Sequence, residues 1–211
     1  MISLYRQFLT RMHRLKCKAD AIYGMPGSHL DWRFRYASIT ILSEVWQTWC
    51  RFCSQLIVSF CCGTQLRDGT IIPSRPGNNS RQRIAFEISE ISRGRIPHRT
   101  NVARFTYQEP TWGDVNLLLR VLPSLGISQY GRLMTALGIS VQSPSHLQIV
   151  RNACNHLNSE TMQRVRNIQP YYIGSVNQHP FELMWCLEST SKSDAIYFWL
   201  DELQTIAELA T

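Results

Sequence analysis

At 211 residues, with 44% hydrophobic and 10% aromatic side chains, the chain has ample apolar material for a folded core and is excluded from the disordered and low-complexity classes. Its formal charge is +7, and 19 of its 22 basic residues are arginine. That bias points to phosphate-bearing partners, because a planar guanidinium grips two oxygens at once and stacks on bases; a merely soluble basic protein is the bland alternative.

The charge is uneven along the chain. Residues 1–110 hold 16 Arg and Lys against 7 Asp and Glu, while residues 111–211 hold 6 against 8. Residues 2–23 place Leu4, Phe8, Met12, Leu15 and Ala19 at intervals of three and four with basic residues between, which predicts a basic amphipathic helix. No uninterrupted apolar segment resembling a secretory leader occurs there, so a reducing, cytoplasmic setting is expected. Gly24, Pro26 and Gly27 end this helix, and Ser28 or Asp31 caps the next.

That next helix, residues 29–62, carries Trp32, Phe34, Tyr36, Ile39, Leu42, Val45, Trp46, Trp49, Phe52, Leu56 and Phe60. It is apolar around much of its circumference, which predicts a course through the middle of the domain. Gln47, Arg51 and Gln55 interrupt it, so it reads as a buried helix and not a membrane span. The chain has seven cysteines. Cys50 and Cys53 form a CxxC, followed by Cys61 and Cys62, but Trp46, Trp49, Phe52 and Leu56 surround the CxxC at helical spacing. Core thiols fit that setting better than a zinc ribbon, and no metal or cofactor is expected.

Residues 64–110 are rich in breakers and arginines, and read as a basic, irregular, partly mobile insertion with one short helix at 80–91 whose Ile84, Ile88 and Ile91 share a side. Arg81, Arg83, Arg93, Arg95 and Arg99 are its candidate phosphate contacts; a solvated charged loop is the alternative. Residues 103–107 are the one fair strand candidate. Beyond them Thr111 and Ser128 are expected to cap helices, and Ser143 with Pro144 opens another. Helical segments at 159–168, 177–190 and 191–210 complete the reading: one all-α domain spanning 1–211.

The most informative stretch is "HLQIVRNACNHLNSE", residues 146–160. With about 100° per residue, Gln148, Arg151, Asn152, Asn155, His156 and Ser159 fall on one arc. Leu147, Ile149, Val150, Ala153, Cys154 and Leu157 fall on the other. The polar arc holds an arginine and a histidine and no carboxylate before Glu160. Asn152 stands four residues before His156, and Asn155 four after Arg151, so each asparagine is in register to orient a neighbour. Metal-assisted hydrolysis wants several carboxylates or histidines, which this arc lacks. RNA supplies its own nucleophile, the 2′-hydroxyl, so its cleavage needs only a base, an acid and a cation for the phosphorane. Histidine serves either proton role and arginine the charge. One arc offers one imidazole; a two-fold dimer would offer two. An exposed arginine and a helix-end histidine with no chemistry is the plain alternative. His29, His146 and His179 lie near helix boundaries without a basic partner in register and are read as non-catalytic.

"RNACNH" is similar to the Rx4–6H motif of HEPN domains, including the polar Asn152 after the arginine. The two early helices, the helix "WGDVNLLLRVLPSLGI" and a late motif helix also resemble the RiboL-PSP type of that family. Leu157 departs from the small residue that often follows the motif. The resemblance covers roughly residues 28–62 and 111–170. It implies an all-α, HEPN-like helical bundle acting as a homodimer, a metal-independent endoribonuclease of toxin or antiviral defence systems. On that basis Arg151, His156 and Asn152 are the catalytic set, Asn155 an RNA contact, tRNA or mRNA the substrate, and an antitoxin or defence-system protein the partner, with no membrane involved. A non-catalytic RNA-binding or protein-interaction subunit on the same fold is the alternative.

Overall fold

Helix α1 (Ile2–Tyr23) forms where the apolar spacing requires it: Phe8, Met12, Leu15 and Ala19 are buried and the basic residues between them face outward. In the computed structural model, which describes residues 1–25, 31–97, 109–174, 176 and 178–211, helix predominates as the periodicity predicts. Ser28, His29, Arg99, Arg104 and the strand candidate at 103–107 lie outside the described residues. Among the described residues no helix is long and apolar enough to cross a membrane.

Helix α2 (Trp32–Cys62) is capped by Asp31, whose carboxylate accepts from the N–H of Arg33 at 2.9 Å. At 31 residues it is about 46 Å long, more than the core of one small domain spans. The chain gathers into two compact units. Unit one is Met1–Phe8, Cys50–Val141 and Ile206–Thr211; unit two is Leu9–Trp49 and Gln142–Thr205. The expected burial of α2 holds for Phe34, Trp46, Trp49, Phe52 and Phe60, but Trp32 and Tyr36 are each 70% exposed.

In unit one, Gly63 ends α2 with φ +85°, and a Cβ there would meet the backbone N of Ser74 at 2.7 Å, so only glycine admits the close return of the chain. Strands β1 (Thr64–Gln65) and β2 (Ile71–Ile72) then pair antiparallel, and α3 (Arg81–Ser92) starts at Ser80, which accepts from the N–H of Arg83. Residues 64–97 thus carry a short strand pairing and one helix. Their organising contact is a charge triad: Glu87 lies 2.7 Å from Arg75 and 2.6 Å from Arg83, with all three side chains largely buried. Arg75 also donates to the carbonyl of Leu125 at 2.6 Å and to Asn79 at 2.7 Å. That ties the loop to the turn that follows α4 (Val115–Val121). Asp114, not Thr111, caps α4 by accepting from Leu117, because Trp112 and Gly113 occupy a turn first. Nor does Ser128 cap α5 (Tyr130–Gly138), which follows a left-handed Gln129. The core thiols are Cys53 and Cys61; burial pushes Cys53 well up and Cys61 to about 11, whereas Cys62 is exposed.

Unit two contains α6 (Gln142–Asn155), α7 (Ser159–Ile168), a pairing of β3 (Tyr172–Ile173) with β4 (Leu187–Glu188), and most of α8 (Ala195–Ala210). The helix expected at 177–190 is instead one 3-10 segment, Pro180–Trp185, leading into β4. Trp185 donates its indole N–H to Ser38 at 3.1 Å and packs on Phe34. At the centre Tyr172 accepts from the Trp199 indole at 2.9 Å, so its own O–H is free to donate to Nδ1 of His146 at 2.7 Å. Burial lowers the His146 pKa from 6.5 to about 4.

Between those two values the unfolded chain binds the proton and the folded one does not, so stability falls as pH drops from 6.5 toward 4. The loss across that window is about 3 kcal/mol. Denaturant titrations at several pH values are expected to show this slope in wild type and to show it flattened in His146→Gln, which keeps an acceptor but does not titrate. An equal slope in both would contradict the assignment.

Candidate functional site

Helix α6 begins at Gln142, one residue before Ser143 and two before Pro144, the expected start. A proline this early costs no hydrogen bond, since the first four helical N–H groups have no intrahelical acceptor. Leu147, Val150 and Ala153 are fully buried, and α6 packs on α7 and on the Pro180–Trp185 segment. Ile149 and Cys154 are half-buried.

The helix stops at Asn155, so residues 146–160 are not the single helix the pattern suggested. Asn158 caps α7 by accepting from the N–H of Thr161 at 2.9 Å, and the Thr161 hydroxyl accepts from the N–H of Asn158 at 3.1 Å. The same hydroxyl reaches the carbonyl of His156 at 2.8 Å, while the His156 N–H still donates to Asn152 at 2.9 Å. Both backbone groups of His156 are therefore held, and its imidazole is exposed to solvent just past the helix end. Leu157, expected to be buried, is 53% exposed because the chain has already left the helix.

Arg151 lies half-buried one turn earlier. Its Nη1 donates to Oδ1 of Asn152 at 3.0 Å, and its Nε is buried without a hydrogen-bond partner among the described residues. Asn152 thus serves the arginine and not His156, and Asn155 is exposed.

Two residues that the sequence gave no reason to select adjoin this helix. Arg35 of α2 stands 3.4 Å from Nε2 of His179. Arg35 and Arg151 both act on the Cys154 thiol, favouring its anion, but burial outweighs them and pushes the thiol up to about 12. No ion pair joins Arg35 or Arg151 to a carboxylate among the described residues. Because Arg35 and His179 are 144 positions apart, no local pattern signals their contact.

The arginines expected on the middle arm have a different fate. Arg83 is largely buried and its Nε pairs with Glu87 at 2.6 Å. Arg81 is exposed and pairs with Glu109 at 3.0 Å; Arg93 and Arg95 are exposed and stand 3.6 and 3.9 Å from Glu90. Exposed pairs of this kind hold their partners weakly. Arg99 lies outside the described residues. A cavity of about 580 Å³ in unit one is lined by Arg75, Arg83 and Glu87, where an incoming anion would compete with a buried carboxylate. Among the described residues no group of three His, Cys, Asp or Glu is placed to hold a metal ion.

No protein-family model, curated protein or solved structure matches the chain.

The thiols offer a direct check on the electrostatics of this region. In the folded protein at about pH 8, a thiol reagent is expected to label exposed Cys17 and Cys62 and to spare Cys53, Cys61 and Cys154. Rapid labelling of Cys154 in a mass-mapping experiment would mean that its arginine neighbours, and not burial, set its state.

Proposed function

We propose that the chain is a metal-independent endoribonuclease of the HEPN type, serving a prokaryotic toxin or antiviral defence system in the cytoplasm and working as a homodimer with one composite Arg151/His156 site. The observation that carries this reading is a positioned arginine followed, one helical turn on, by a free imidazole. Asn152 holds Arg151 at 3.0 Å, while Thr161 fixes the backbone of His156 and leaves its ring in solvent. An imidazole packed into its own core would have been incompatible with the chemistry.

RNA lends the reaction its nucleophile. One His156 takes the proton of the 2′-hydroxyl as its oxygen bonds to phosphorus, and the guanidinium of Arg151 offsets the charge on the equatorial oxygens. The bond from phosphorus to the 5′-oxygen then breaks, and the imidazolium of the second copy's His156 protonates the leaving oxygen. The products carry a 2′,3′-cyclic phosphate and a free 5′-hydroxyl. tRNA or mRNA fits as substrate class, with an antitoxin or defence-system protein as partner.

A second reading, a non-catalytic RNA-binding or protein-interaction subunit, has one observation in its favour. Asn152 is engaged with Arg151, and no side-chain hydrogen bond orients the His156 ring among the described residues.

Incubating purified wild type, His156→Ala and Arg151→Ala with total RNA in EDTA separates the two. The nuclease reading expects cleavage by wild type and a loss of about a hundredfold or more in each variant. Undiminished cleavage by His156→Ala removes the mechanism. Salt-sensitive RNA binding by wild type without cleavage selects the second reading.

A further inference from the structure

The first two turns of α2 present a surface that the core does not explain. Trp32 and Tyr36, each 70% exposed, are four residues apart and so stand one above the other on the same side of the helix. Buried large aromatics are ordinary; two in adjacent turns left in water are not. The guanidinium of Arg33 lies 5.7 Å from the Trp32 ring, and exposed Arg35 flanks the pair. Residues 32–43 contain no Asp or Glu, and the carboxylate of Asp31 is spent on capping the helix. The helix N-terminus adds further positive potential at this end. The surface is therefore aromatic and cationic, with no acid of its own.

We infer that unpaired RNA docks on this face, its bases stacking on Trp32 and Tyr36 and its phosphates held by Arg33 and Arg35. The inference rests on the RNA reading above but not on its cleavage chemistry. Side chains at this spacing are about 5–6 Å apart, wider than the step of about 3.4 Å along a stacked strand. Two neighbouring bases can meet both rings only when they are unstacked from each other. A duplex buries the faces of its bases and cannot do this, whereas loops and single strands can. An acidic protein partner would satisfy the arginines but has no comparable use for two exposed ring faces one turn apart. The same turns lead to the motif helix: Arg35 touches His179, and its charge is felt at Cys154 beside that of Arg151. A strand lying on α2 is thereby brought to the neighbourhood of Arg151 within one unit.

Fluorescence anisotropy with a labelled 2′-O-methyl strand, which cannot be cleaved, tests this at fixed salt, with the duplex of the same sequence as the comparison. Wild type is expected to prefer the single strand. Trp32→Ala/Tyr36→Ala is expected to lose about tenfold or more of that affinity and to bind duplex unchanged. Trp32→Phe, which keeps a stacking face, is expected to retain most of it. The inference is overturned if the double variant binds the strand like wild type, if Trp32→Phe falls as far as the alanine change, if wild type favours duplex, or if it binds neither. The result is separable from the cleavage reading: normal cleavage by His156→Ala removes the chemistry and leaves the stacking result standing, while normal binding by the double variant removes only the platform.

Discussion

The side chains of Asn158 and Thr161 each accept from the other's backbone N–H, and the Thr161 hydroxyl also reaches the carbonyl of His156; this capping box marks the separation of α6 from α7. Without that break, residues 146–160 could continue as one helix, with His156 fixed to its surface and Leu157 turned inward. With it, the helix ends at Asn155, and the Arg151 and His156 side chains come to differ in kind. Arg151 is a half-buried group with a defined hydrogen bond; His156 is anchored, among the described residues, through its backbone. A fixed cation and a ring free to reorient suit a reaction in which charge accumulates at one place while protons travel between two.

Positive charge is plentiful in the chain, but much of it is structural. Arg75 and Arg83 converge on Glu87 inside unit one, where removing the carboxylate would strand two buried cations. Arg132 pairs with Asp68 and Arg67 lies on the ring of Tyr5 at 3.9 Å. The arginines of unit two near the motif, Arg35 and Arg151, have no carboxylate partner among the described residues. Where an arginine is left over after folding is more informative than how many the sequence holds.

Repetition along the helix made α1, α2, α7 and α8 readable in the sequence, because each buries one stripe at a period of 3.6 residues. Gly63 was readable as a stop for the same local reason, its positive φ. Elements fixed by distant contacts were not. Residues 180–185 form a 3-10 segment whose last residue, Trp185, donates to Ser38, 147 positions away. Trp32 and Tyr36 look like core in any hydropathy reading, since composition does not say which side of a long helix lacks a neighbour. At the motif, spacing picked out Arg151, Asn152 and His156 on one arc but assigned Asn152 to the wrong partner. The backbone carbonyl of Asn152 accepts from the His156 N–H, while its side-chain oxygen accepts from Arg151. The Arg83–Glu87 pair, at i and i+4, was the one signal in the sequence that this arginine was already committed.

The central claim is that the 2′-hydroxyl of RNA, and nothing bound to the protein, attacks the phosphodiester beside Arg151 and His156. It is tested most directly by giving wild-type protein in chelator two copies of one labelled strand, ordinary RNA and its fully 2′-O-methylated form, and resolving the products. The account predicts that only ordinary RNA is cut, leaving 2′,3′-cyclic phosphate ends. Cleavage of the methylated strand, or products ending in a 5′-phosphate, would contradict it.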